Sequence, residues 1–390
     1  MRLAFFHNLP SGGAKRCAHE LIKLLSKKYK IDLFIYDKQA EDFLDIRPIV
    51  NKTVLVNGGE TDNGKGLRRF ISLKIVKSAS KRTAELINLG NYDLALIMQC
   101  KVANSPYILR YLNIPTLYFC HEPLAKILEP HYRSDEQDGL LGPLKKIFLR
   151  WAISIDKYNA LKATQICTSS LYCIENIYRH YGIYASLNYL GVDIQNFSPM
   201  FLERSPVLLF VGALNAAKGQ DFVIESVGTM KIKLEIIFIY NFSYGTLEFK
   251  KQLINRAKQL GVTVTFSNMV NEKELVSAYN QAALTVFPSR LEPLGLVPLE
   301  SMACGTPVIG IAEAGIRETI QDGENGILTE RDPIEFGNAI TKLMTNKLLW
   351  KSMSEEGIKR VAERWTWEKS CDKLEKNIYK TIYKHNCLDM

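Results

Sequence analysis

Two hydrophobic patterns alternate along the chain. Short, nearly continuous apolar runs at 3–7, 31–36, 53–56, 94–98, 116–120 and 165–168 are bounded by polar or glycine-containing segments and read as buried strands. Between them lie stretches whose apolar residues recur at spacings of three and four. One follows Ala14 and sets Cys17, Leu21, Leu24 and Leu25 on a single face. Strand and helix in alternation predict a parallel sheet, with functional residues at the C-terminal ends of the strands. After a connection containing Gly191, Pro199 and Pro206 the alternation restarts, with strands expected at 207–211, 234–240, 262–266, 284–287 and 307–311. The expected organisation is an N-terminal domain over 1–190, a linker over 191–206, a second domain over 207–365 and a last helix over 366–390, opened by Trp365-Thr366-Trp367-Glu368.

Composition adds limits. With 390 residues, 47% hydrophobic and 23% charged, the chain is long enough for two cores. No apolar run approaches the roughly eighteen residues that span a bilayer, and the run at 3–6 is too short for the core of a signal peptide, so a cytoplasmic protein is expected. The eight cysteines include no Cys-x-x-Cys and mostly sit in apolar segments, which favours buried reduced thiols over a zinc site. A net charge of +9 and a pI near 9.0 imply acidic partners: nucleotide phosphates, anionic lipid or nucleic acid. Nucleic acid is the weakest of these, because no recognisable binding module or interleaving of basic and aromatic residues is present.

The most informative stretch is 290–310, RLEPLGLVPLESMACGTPVIG, read as loop, helix and strand. Leu296, Leu299, Met302 and Ala303 have helical spacing, and Gly305 and Pro307 end the helix. If the helix begins near Leu294, Pro298 falls in its first turn, where a missing N–H costs nothing. The amides of Gly295, Leu296 and Val297 then lie at the positive end of the helix dipole, behind a glycine that admits a ligand to the backbone, an arrangement suited to phosphate. Glu292 precedes this point and Glu300 lies about two turns beyond its start. An anion site with hydroxyl acceptors at either end describes a nucleotide sugar.

This run resembles the signature of the retaining glycosyltransferases of family 4, which have the GT-B fold: two facing Rossmann-like domains with a cleft between them and a C-terminal helix that crosses back. The resemblance is strong over about 207–328 and loose before Cys120. It implies transfer of a sugar from a UDP- or GDP-sugar to an acceptor hydroxyl in glycolipid, polysaccharide or glycan assembly, with retention and by a same-face displacement, since no side-chain nucleophile is evident. Glu300 is then expected on the ribose and Glu292 on the sugar. His121, at a strand end in the context His-Glu-Pro, matches the histidine that members place beside the donor sugar or its phosphates. Gly12-Gly13-Ala14-Lys15-Arg16 resembles the family's GGAER, with Lys15 where a carboxylate is usual. In 212–219, Lys218 matches the lysine of the family's diphosphate clamp, while Ala213 replaces its arginine; Arg290 is a candidate substitute. The turn 268–270, with Val270, falls where the base is read through backbone groups.

The sequence contains no Asp-x-Asp, so helix amides and Lys218, and no metal or other cofactor, are expected to meet the diphosphate charge. An epimerase of the same fold is the alternative. Two basic stretches remain. In 63–84 seven Lys or Arg occur without an acid and the apolar residues scatter, which reads as solvated surface. In 144–158 Leu144, Ile147, Phe148, Trp151, Ile155 and Tyr158 share a face opposite Lys146, Arg150 and Lys157. Packing on the protein's own core is favoured there over contact with the inner face of an anionic membrane.

Overall fold

The computed structural model describes residues 1–36, 41–58, 67–125, 142–200, 202–240, 246–268 and 270–388. Residues 63–66 of the first basic stretch and Met269 of the base-reading turn lie outside these, as do the side chains of Leu144 and Lys145. The chain forms two compact units, Met1–Tyr189 with Trp367–Met390, and Leu190–Thr366. Residues 191–206, read above as a linker, belong to the second unit.

The first unit runs β1 (Arg2–Asn8), α1 (Gly13–Leu25), β2 (Lys30–Ile35), β3 (Lys52–Leu55), α2 (Leu67–Asn88), β4 (Leu94–Cys100), β5 (Thr116–Phe119), α3 (Gly142–Ala160), β6 (Gln165–Thr168), α4 (Leu171–Tyr181) and β7 (Ser186–Leu187). The sheet order is β3-β2-β1-β4-β5-β6-β7 and its pairings are parallel. Phe5, Phe6, Leu96, Ile97 and Tyr118 are wholly buried, as expected of strands covered on both faces.

The second unit runs β8 (Ser205–Val211), α5 (Gln220–Thr229), β9 (Glu235–Tyr240), α6 (Thr246–Leu260), β10 (Val264–Asn268), α7 (Glu272–Gln281), β11 (Ala282–Phe287), α8 (Leu296–Ala303), β12 (Val308–Ile311), α9 (Ile316–Thr319), β13 (Gly326–Thr329), α10 (Pro333–Thr345) and α11 (Lys347–Arg364). Its sheet, β10-β9-β8-β11-β12-β13, is again parallel. The last helix, α12 (Trp367–Leu388), packs on the first unit: Leu374 and Ile378 are buried, Glu375 accepts from Lys28 Nζ (2.8 Å) and Tyr29 OH (2.9 Å), and Asn188 Nδ2 donates to Ser370 Oγ (3.2 Å).

Both basic helices correct the sequence reading. The scattered apolar residues of α2 form a packed face once small and hydroxyl residues are counted: Leu73, Val76, Ser80, Thr83, Ala84 and Ile87 are buried, while Lys74, Lys77, Lys81 and Arg82 are exposed. In α3 the buried face is rotated from the apolar stripe. Phe148 and Ile155 pack on the core beside buried Ala152, Asp156 and Asn159, leaving Ile147, Trp151 and Tyr158 exposed. Two polar residues draw the helix round because their hydrogen bonds are met inside.

Candidate functional site

In an open parallel sheet, ligands are received at the C-terminal edge where the strand order reverses. In the second unit that point lies between β8 and β11, and the loops 212–219 and 288–295 follow these two strands. Lys218 ends a short 3-10 turn, Ala216–Lys218, and Gly219 follows at φ 80°, where an added Cβ would stand 2.9 Å from the Pro288 carbonyl oxygen. Arg290 N donates to Ala217 O at 2.8 Å, so the two loops are joined by backbone. That contact sets Lys218 Nζ 2.6 Å from Glu292 Oε2, and Ser289 Oγ donates to the same oxygen at 2.6 Å.

The segment carrying Glu292 is tightly constrained. Leu291 has φ 46°, a left-handed conformation costing a non-glycine residue roughly 1–2 kcal/mol. Gly315 N donates to Glu292 O at 3.0 Å, and a Cβ on Gly315 would lie 1.9 Å from Pro293 O.

Gly295 caps α8 at φ 91°, and among the described residues no side chain caps this helix. Gly295 is itself buried, and a Cβ there would meet the Pro298 ring at 3.3 Å and Phe287 at 3.4 Å. The glycine thus serves the backbone angle and packing on its Cβ side. Leu296 and Val297, half-buried, start the helix. The Leu294 side chain is buried, so only its backbone can face a ligand. Glu300 is 6% exposed and accepts from Tyr279 OH at 2.9 Å. Val270, half-buried, directly precedes the capping box of α7, in which Asn271 and Glu274 exchange hydrogen bonds. The charge of Arg290 is felt at Glu313. Burial pushes that carboxyl up, but two hydrogen bonds from Arg331 (2.7 and 2.9 Å) and the charges of Arg331 and Arg290 hold it below the usual range.

In the first unit the order reverses between β1 and β4. Gly12 has φ 138° and a Cβ there would meet nothing within 4 Å, so the backbone is open and the conformation requires glycine. Gly13 is exposed, but Lys15 is wholly buried. His121 follows β5 and is half-buried, with Nε2 out of solvent and, among the described residues, unpartnered; burial lowers its pKa to about 4, so the ring is neutral. Its loop is held from beneath. Gln99 Nε2 (2.7 Å) and Asn104 Nδ2 (3.0 Å) donate to Glu122 O, and buried Asp156 accepts from Leu124 N (2.9 Å), Ser105 N (2.8 Å) and Tyr181 OH (2.6 Å).

Sequence reasoning missed Ser289, Tyr279, Gly315 and Asp156. Of these only Asp156 carried a signal, an acid inside an apolar helical segment.

Residues 193–360 match the family model described as Glycosyl transferases group 1. Two solved structures align with nearly the whole chain: a sucrose-phosphate synthase from Thermosynechococcus elongatus (TM-score 0.79, 20% identity, 98% of this chain and 99% of that one) and Anabaena Alr3699/HepE in complex with UDP-glucose (TM-score 0.75, 16% identity, 97% and 100%). The fold is GT-B. Among curated relatives, a D-inositol 3-phosphate glycosyltransferase of Geodermatophilus obscurus is 32% identical over 204 residues, 47% of this chain and 44% of that protein. The chain thus spans less than half the length of this relative. In this GT-B chain no helix among the described residues is long and apolar enough to cross a membrane.

Proposed function

We propose that the chain is a retaining, metal-independent glycosyltransferase of family 4 that moves a sugar from a UDP- or GDP-sugar to an acceptor hydroxyl. The observation that carries this reading is the group at the β8–β11 switch point, where Lys218, Glu292 and the start of α8, which no described side chain caps, share one sheet edge. A cation and helix amides stabilise the charge that grows on the departing diphosphate, an effect that is usually the largest single contribution to catalysis. Glu300, oriented by Tyr279, accepts the ribose hydroxyls, and Glu292 holds sugar hydroxyls. On the first unit, His121 is the sugar contact and Gly12 with Gly13 presents backbone donors. A neutral imidazole there donates or accepts a hydrogen bond without adding charge. The departing phosphate oxygen takes the acceptor proton on the face that the acceptor enters.

The test is a melting-temperature screen against nucleotide sugars, since a ligand at a hundred times its Kd stabilises by about 2.7 kcal/mol. Product analysis with candidate acceptors and EDTA follows. Stabilisation, transfer with retained configuration and indifference to EDTA support the reading. An epimer formed from donor alone, or activity lost to EDTA and restored by magnesium, overturns it.

One observation also favours contact with the inner face of an anionic membrane. A groove of about 320 Å³ on the first unit is lined by Lys74, Lys77 and Arg110 with Tyr107 and Trp151, and Ile147 is exposed nearby on α3. Co-sedimentation with phosphatidylglycerol vesicles but not phosphatidylcholine vesicles, lost in Lys74→Glu/Lys77→Glu, is expected.

A further inference from the structure

Three ionisable side chains are sealed beneath the glycine loop of the first unit. His7, Lys15 and Glu41 each have at most 2% of their surface exposed, and they come from the end of β1, the first turn of α1 and the segment that follows β2. Lys15 Nζ donates to Glu41 Oε1 at 2.6 Å, and His7 Nε2 lies 2.7 Å from the same oxygen and 3.2 Å from Lys15 Nζ. His7 Nδ1 accepts from Leu9 N at 3.4 Å, so the ring proton sits on Nε2 and is donated to Glu41. Glu41 Oε2 accepts from Ile46 N at 2.6 Å. The β1–β4 register breaks between Phe6 and Asn8, at the residue whose side chain turns to this cluster.

His7 and Lys15 bracket the loop: one precedes Pro10 to Gly13 and the other follows it, and both are tied to a single carboxylate. Open backbone at Gly12 would otherwise be permissive, since glycine has many conformations to lose. We propose that Lys15, Glu41 and His7 are positioning residues that clamp both ends of the Gly12–Gly13 loop and hold its amides in the geometry that turnover needs. The proposal rests on the glycosyltransferase reading for its catalytic consequence only. Burial favours the neutral forms of His7 and Lys15, while Glu41, which burial alone would raise, is kept ionised by hydrogen bonds from His7, Lys15 and Ile46 N.

The distinction from a merely structural ion pair lies in removing both charges together. Lys15→Met or Glu41→Gln alone strands a buried charge and lowers the melting temperature. In Lys15→Met/Glu41→Gln no charge is stranded, so the melting temperature recovers, because replacing a buried pair with neutral groups is often close to neutral for stability. The tie of Lys15 to residue 41, one end of the clamp, is nevertheless gone. At least a tenfold loss in kcat/KM is expected in the double variant. Amide hydrogen exchange in a peptide covering 9–16 should quicken at least tenfold, with the second unit unaltered. A double variant with wild-type turnover and exchange overturns the proposal. If that variant does not fold, His7→Asn takes its place: Asn Oδ1 keeps the bond from Leu9 N, the contact to Glu41 is lost, and the same two readings apply. A wild-type protein inert towards every nucleotide sugar would remove the glycosyltransferase reading but leave the exchange experiment decisive for the clamp.

Discussion

Lys218 does not wait for a ligand with its charge unmet. It is hydrogen-bonded to Glu292 at 2.6 Å, with the two side chains 28% and 19% exposed. A diphosphate that recruits Lys218 must therefore compete with a carboxylate. A half-buried ion pair of this kind is worth about 1 kcal/mol, and a charge-assisted bond to phosphate roughly 1.5–3 kcal/mol. The net gain on binding is then about 0.5–2 kcal/mol, so Lys218→Met should weaken UDP affinity about two- to thirtyfold. Glu292→Gln has the opposite sign. It releases Lys218 and removes a nearby negative charge, and UDP affinity should tighten about fivefold while turnover falls at least tenfold, because the sugar contact is lost. In the Lys218→Met background the same glutamate change should tighten binding by less, since no lysine remains to be released. Calorimetric titration of UDP into the wild type, both singles and the double measures all three terms, with melting temperatures as a check on folding. An unchanged or weakened UDP affinity in Glu292→Gln, or additivity within about 0.3–0.5 kcal/mol, refutes the competition.

Glu300→Gln should weaken UDP binding at least tenfold without the tightening seen at Glu292, and Tyr279→Phe, which removes the 2.9 Å donor, should cost about 1 kcal/mol, or fivefold, in the same titration. Gly315→Ala places a methyl 1.9 Å from a backbone oxygen, so a loss of about 1–3 kcal/mol in urea unfolding and reduced turnover are expected as the Glu292 segment shifts. Asp156→Ala strands the amides of Ser105 and Leu124, and should cost about 3 kcal/mol or more and lower kcat by displacing His121. His121 is held neutral with a folded pKa of about 4, below the unfolded value of 6.5, so its contribution is present above about pH 6.5 and is lost as pH falls towards 4. Wild type should thus lose roughly 2 kcal/mol more than His121→Asn between pH 7 and pH 5 in urea unfolding.

The fold was legible because a buried parallel strand is nearly continuous in apolar residues, and both sheets are built from such strands. The strand ends moved by a residue or two, and β7 and β13 went unseen, being too short or too polar to stand out: Ser186–Leu187 is only a dipeptide. Helix faces were less legible. A helical wheel counts apolar residues, but α2 and α3 bury Ser80, Asp156 and Asn159, whose hydrogen-bond partners include segments distant in sequence. Burial of such groups is set by what they meet, and a single segment does not contain that information.

The same limit governs the site. Glu292, Gly295 and Glu300 stand close enough together for spacing to suggest a common ligand, yet the 2.6 Å contact between Lys218 and Glu292 joins residues 74 positions apart. It arises because β8 and β11 are neighbours in the sheet, which brings the loops after them side by side. Lys15 makes the point more sharply. Beside two glycines it stands where the resemblance expects a carboxylate, and the sequence assigns it no role, whereas α1 buries it and Glu41, 26 positions away, supplies its counter-charge. A lysine in that first turn is compatible with the fold only if a carboxylate is delivered to it, because an unpaired buried ammonium is far too costly. Lys15 and Glu41 therefore act as one unit. A change at either position without the other should be tolerated less well than the two together, the same order of severity on which the double variant depends.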